Sequence, residues 1–187
     1  MSITFVFPGQ GAQVIGMGQT LARAYPNSRN VFEEVDDALN FKLSKLIWDG
    51  EIEELTLTEN AQPALMATSL ATLRAMEEEG ISSHTVKYFA GHSLGEYSAL
   101  CAAGALDLAD TARLLRLRGK SMQKAVPIGV GAMAAILGLN FELVKKIAQE
   151  ASQKQVCQAA NDNDPNQVVI SGNLEAVERA IILAKEK

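Results

Sequence analysis

Gly91-His92-Ser93-Leu94-Gly95 lies between a short apolar run at residues 86–90 and a stretch of small residues that reads as helix up to Gly104. A strand that turns straight into a helix needs glycines on both sides, because a side chain there would keep the two segments apart. The turn also strains the residue at its apex and lifts that side chain clear of the sheet. Few architectures accept this unit, and the natural one is an α/β layer in which strands run parallel and helices cover them. G-x-S-x-G alone is a weak pattern. In this strand-to-helix setting it marks Ser93 as a candidate nucleophile, whose following amide sits at a helix N-terminus and can stabilise an oxyanion.

The rest of the chain fits that layer up to about residue 125. Residues 3–7 read as a buried strand stopped by Pro8-Gly9. A helical region reaches to about Asp49, with a break at Tyr25-Pro26-Asn27-Ser28. Asn60-Ala61-Gln62-Pro63 is read as opening a helix with proline near its first turn, closed by Gly80. Asp107 is read as the N-cap of a helix running to about Val126. From Gly129 the rhythm changes to strand 132–139, helix 141–153, strand 156–160, strand 167–171 and helix 174–187, the last capped by Asn173. That order is a split βαβ unit with one strand still to come. Two parallel strands also cannot cover the five helices expected before residue 125. The fold expected is α/β: a parallel-sheet domain at 1–125 and a small split-βαβ domain at 126–187, both incomplete and continued beyond Lys187.

Charge and composition narrow the partners. The chain carries a net charge of −5 and 5% aromatic residues with no basic stripe, which argues against nucleic acid. Cys101 and Cys157 lack metal-ligand spacing and suggest neither a metal site nor a disulfide framework, so a reducing, cytoplasmic setting is expected. Cys101, in Ala99-Leu100-Cys101-Ala102-Ala103, is expected to be a small core hydrophobe. The N-terminus lacks a basic n-region, and no stretch is long enough to span a bilayer.

A second chemical clue comes from the helix expected over 107–126. Plotted at 100° per residue, its apolar arc holds Leu108, Ala112, Leu114, Leu115, Gly119, Met122, Ala125 and Val126. Arg113, Arg116, Lys120, Gln123 and Lys124 fill the polar arc, whereas Arg118 falls among the apolar residues. A guanidinium keeps its charge, so burying it without an anion is costly. Its partner is either a structural carboxylate or a carboxylate on a substrate, which the planar fork can hold bidentately.

Phe7-Pro8-Gly9-Gln10-Gly11 follows the first strand. Loops at the carboxyl ends of parallel strands line the crevice where such sheets bind ligands, so the Gln10 amide is a candidate second oxyanion donor beside a plain tight turn. Gly9-Gln10-Gly11 does not continue as a dinucleotide fingerprint, since position 14 is Val. Gly119-Lys120-Ser121 lacks the earlier glycine of a P-loop. His84 sits in a polar loop and is expected to be solvated. His92 adjoins Ser93 and is expected to point away from it, so these residues offer no obvious base for the serine.

Taken together, Phe7-Pro8-Gly9-Gln10-Gly11, Gln62-Pro63-Ala64, Gly91-His92-Ser93-Leu94-Gly95-Glu96-Tyr97, Arg118-Gly119-Lys120-Ser121-Met122-Gln123, Gly129-Val130-Gly131-Ala132-Met133-Ala134-Ala135 and Gln167-Val168-Val169-Ile170-Ser171-Gly172 resemble the bacterial malonyl-CoA:acyl-carrier-protein transacylases of fatty acid synthesis. The resemblance implies an α/β-hydrolase-like domain carrying a ferredoxin-like insertion, with malonyl-CoA and acyl carrier protein as partners and no cofactor or metal. It implies Ser93 as nucleophile, the Gln10 and Leu94 amides as oxyanion donors, and Arg118 as the malonyl carboxylate site. Asn161 and Asn163 match a loop of the insertion that faces the site. The catalytic histidine of that family falls beyond Lys187. Two alternatives share the same features: a serine esterase or thioesterase using the same elbow, and a non-catalytic module that binds a carrier protein.

Overall fold

The computed structural model describes residues 3–81, 83–127 and 129–187; the side chain of His84, expected to be solvated, lies outside the described residues. The chain gathers into two compact units, Met1–Gln123 and Lys124–Lys187.

In the first unit, strand β1 (Ile3–Phe7) pairs in parallel with β2 (Val86–Gly91), with Phe7 opposite Gly91, so the carboxyl ends of both strands fall at one edge. Between them run α1 (Gln19–Ala24), α2 (Pro26–Leu39), α3 (Leu43–Asp49), α4 (Ile52–Thr56) and α5 (Thr58–Glu78). After β2 come α6 (Leu94–Ala102) and α7 (Leu108–Ala125). Pro26 opens α2 at its first turn behind an extended Tyr25, the conformation a residue before proline prefers. The left-handed Asn40 (φ 46°) ends that helix. Gly80 (φ 89°) lets the Ile81 amide close on the Met76 carbonyl and end α5.

The core packs Val31, Phe32 and Val35 of α2 and Leu43 and Ile47 of α3 with Met66 and Leu70 of α5 and Leu115 of α7. Each such side chain contributes about 1.5–3 kcal/mol by leaving water. Phe32 meets Trp48 edge-on at 5.1 Å between centroids.

Three sequence expectations differ from the structure. Helix α5 starts at Thr58, so Pro63 is an interior residue and not part of the first turn. The short α4 and the separation of α3 from α2, both unanticipated, bring the described α-helices up to residue 125 to seven. The wheel for α7 is only partly realised. Thr111, Ala112, Leu115 and Gly119 are buried, while Leu114, Met122 and Val126 are exposed. Arg116, assigned to the polar arc, instead lies over the Phe41 ring at 4.3 Å.

In the second unit, β3 (Gly131–Leu137), β4 (Cys157–Asp164) and β5 (Gln167–Asn173) form an antiparallel sheet in the order β3-β5-β4. Helices α8 (Phe141–Ser152) and α9 (Leu174–Lys185) complete the β-α-β-β-α sequence. Val144, Ile147 and Ala148 of α8 and Ala176, Val177 and Ala180 of α9 close over Ile136, Val168 and Ile170 of the sheet. Asn173 does not cap α9 through its side chain. Its Oδ1 accepts from the Val156 amide across the unit, a partner that a linear reading of the helix start cannot foresee. Asn140 does cap α8, accepting from the Leu143 amide at 3.0 Å. Replacing Asn140 by Ala should therefore cost about 1 kcal/mol of stability, read from urea unfolding; an unchanged midpoint would remove the cap from the account.

Candidate active site

Ser93 sits at the apex between β2 and α6 with φ 55° and ψ −111°, a conformation in which a residue with a Cβ is strained by about 1–3 kcal/mol. What imposes it is the closeness of the flanking backbone. A methyl group on Gly91 would collide with the Gly95 carbonyl, and one on Gly95 would collide with the Phe7 carbonyl. The His92 amide donates to the Phe7 carbonyl at 3.1 Å, and the Gly95 amide donates to the His92 carbonyl at 2.9 Å. Ser93 is left exposed, and Leu94, the first residue of α6, is buried.

The same contacts bring the loop after β1 to the elbow. Gly9 lies against the His92 ring, where a Cβ would stand 2.7 Å from Nδ1, so this imidazole packs on the loop. Gln10 follows in an exposed turn, with Gly11 at φ 121° and its amide donating to Gln13 Oε1 at 3.0 Å. Cys101 is partly buried, and burial pushes its thiol above the usual range. It is thereby a poor nucleophile at neutral pH.

Arg118 reaches this serine from α7. Its Nη2 donates to Ser93 Oγ at 2.9 Å, and its Nη1 donates to Gln62 Oε1 at 2.6 Å. The Tyr97 ring lies 5.8 Å from the guanidinium carbon. Of the two partners the sequence left open, the structural carboxylate is not found: among the described residues, no ion pair involves Arg118. Gln62 is fully buried in α5 and turns its amide nitrogen to Met122 Sδ at 3.3 Å. This residue was quoted only as part of a motif, and its partnership with Arg118 was not legible. A usable signal was Gly119, a glycine inside a helix. A Cβ there would stand 2.5 Å from Glu59 Cα and 2.6 Å from the Thr58 carbonyl, so the glycine lets α7 lie against the first turn of α5.

Asn161 and Asn163 belong to the second unit. They lie within β4, not in a loop as the resemblance suggested. Asn161 pairs with Val169, and Asn163 Nδ2 donates to Gln167 Oε1 at 3.2 Å. Register shifts at Ala159/Asn161 and Asp162/Asp164 carry the strand through this polar stretch. Both asparagines are exposed.

An exposed, strained serine under a guanidinium, with helix amides behind it, is equipped for acyl transfer through a covalent ester. Comparison with known proteins agrees, since residues 4–187 match the acyl transferase domain family. The chain belongs to the acyl transferase domain family. This acyl transferase domain is 52% identical over 185 residues to the malonyl CoA-acyl carrier protein transacylase of Bacillus subtilis strain 168, covering 98% of this chain and 57% of the relative. It is 49% identical over 176 residues to the enzyme of the same name from Escherichia coli K12, covering 94% and 56%. The chain thus spans a little over half the length of these relatives.

Among solved structures, the acyl-carrier-protein-S-malonyltransferase of Bartonella henselae superimposes with a TM-score of 0.95 at 55% identity, over 100% of this chain and 60% of that one. A malonyl-transacylase in complex with a type II PKS acyl-carrier protein matches with a TM-score of 0.93 at 46% identity, again over 100% and 60%. The α/β fold expected from the sequence is the fold of these structures.

The strain at Ser93 gives a test independent of chemistry. Ser93→Gly should be more stable than Ser93→Ala by about 1 kcal/mol, because only glycine adopts this φ and ψ without penalty. Equal unfolding midpoints for the two variants would mean that the elbow is relaxed.

Proposed function

We propose that the intact protein transfers a malonyl group from malonyl-CoA to the phosphopantetheine thiol of acyl carrier protein, within fatty acid biosynthesis in the cytoplasm. The observation that carries this reading is Arg118: a cation at the nucleophile whose hydrogen-bond partners are a neutral amide and the serine itself. Such a group suits an acyl chain that ends in a carboxylate, and malonyl is the acyl group named in the relatives.

In the proposed reaction Ser93 Oγ attacks the thioester carbonyl, and the Gln10 and Leu94 amides hold the oxyanion. Collapse breaks the C–S bond, and CoA leaves with the proton that the serine gave up. Arg118 keeps the malonyl carboxylate in place while the carrier thiol attacks the ester. The thiol proton then returns to Ser93 Oγ as the new thioester forms. The base that moves these protons is a histidine, as the family resemblance implies. By the same resemblance residues 1–125 form the hydrolase-like part and residues 126–187 the ferredoxin-like part, with Asn161 and Asn163 contributing to substrate binding. The chemistry requires no cofactor or metal, since pantetheine enters with the substrates.

Brief exposure of the intact protein to malonyl-CoA should add one malonyl group to Ser93 by mass spectrometry, and Ser93→Ala should abolish it. Hydrolysis of simple esters without a stable malonyl adduct would favour the esterase reading. Arg118→Ala should lower malonyl kcat/KM about 100-fold relative to acetyl, the scale of a lost charge-assisted carboxylate contact.

A further inference from the structure

We infer that Gln13 is a positioning residue for acyl transfer, which holds the turn at Gln10-Gly11 so that the Gln10 amide keeps one direction. This rests on the oxyanion role proposed above for that amide. The loop from Pro8 to Gly18 is fastened at both ends. At its start Gly9 packs on the His92 ring. At its far end the Gly16 amide donates to the Ile47 carbonyl at 2.8 Å. Gly18 there lies against Phe32, where a Cβ would stand 2.6 Å from Cζ. The turn between these anchors lacks such packing. A Cβ built on Gly11 would meet nothing within 4 Å, and a glycine at φ 121° has several backbone conformations open to it.

A side chain closes this turn. The Gly11 amide donates to Gln13 Oε1 at 3.0 Å, two residues along the chain. Gln13 is half-buried, whereas Gln10, Gly11 and Ala12 are exposed. The exposed turn is thus tied back to a residue with less freedom than its own. An oxyanion donor works best when its direction is set before charge develops, because a donor that must first reorganise loses stabilisation to its own ordering. With the 10–11 peptide held by Gln13, the preceding peptide, which bears the Gln10 N–H, is restrained as well. Gln13 acts through that N–H, so its loss should be felt in the transition state and not in donor binding.

The test resolves kcat and KM of the intact protein for malonyl-CoA and acetyl-CoA in two variants. Gln13→Met keeps the length of the side chain and loses the acceptor, whereas Gln13→Glu keeps the acceptor. Gln13→Met should lower kcat about 10-fold for both donors with KM unchanged, a fraction of what removing a whole oxyanion donor costs. Gln13→Glu should restore kcat to within about threefold of the parent, because a carboxylate oxygen accepts from the Gly11 amide at least as well. An unchanged kcat in Gln13→Met, a change confined to KM, or equal losses of kcat in both variants would overturn the inference. An amide-to-ester replacement that removes the Gln10 N–H separates the two roles. If the ester lowers kcat and Gln13→Met does not, Gln10 keeps its role and Gln13 loses its own. If the ester leaves kcat unchanged, the role of Gln10 falls and that of Gln13 falls with it.

Discussion

The Phe7 carbonyl is the point on which the site turns. It accepts the His92 amide, and the Cα of Gly95 lies against it so closely that a side chain at that position would be excluded. The end of β1, the end of β2 and the start of α6 are therefore pinned at one edge of the sheet. The strained backbone of Ser93 is what remains once those three segments have met. The core of α2, α3, α5 and α7 contributes the stability against which that strain is held, since one strained residue costs only a small part of what the buried side chains supply.

The second constraint is the close approach of α7 to the first turn of α5 at Gly119. It determines where Arg118 falls, because a guanidinium on a long side chain can be placed only if the helix beneath it is fixed. Gln62 and Gly119 act on different parts of the same problem: one fixes the fork and the other fixes its base. The resulting cation has no carboxylate among its partners within the described residues, yet its carrier helix is packed into the core. A charge arranged in this way raises stability little. In the function proposed, its value lies in recognising an anion that arrives with a substrate.

Much of this was legible in the sequence, and the exceptions have physical reasons. The elbow could be read because its glycines are adjacent in the chain and their spacing is dictated by one local turn. Arg118 could be placed on the inner side of its helix because the 100° step is local as well. Its partner could not be read, since Gln62 is 56 positions away and the contact depends on how two helices pack. Asn173 does stand at the N-cap position of α9, but for the same reason its side-chain partner could not be read, because it accepts from a backbone amide outside its own helix. The polar run Asn161-Asp162-Asn163-Asp164 has low strand propensity, and only pairing with β5 across the turn at Pro165-Asn166 makes it a strand. Helix α4 is five residues long and leaves almost no periodicity to detect.

In the function proposed, Arg118 holds its charge in reserve for the acyl carboxylate. A crystal structure of the intact protein trapped as the malonyl-serine ester tests it most directly. There the guanidinium should leave the serine oxygen to engage the malonyl carboxylate while Nη1 stays on Gln62. A carboxylate turned away to solvent, with Arg118 paired to a protein carboxylate instead, would contradict it.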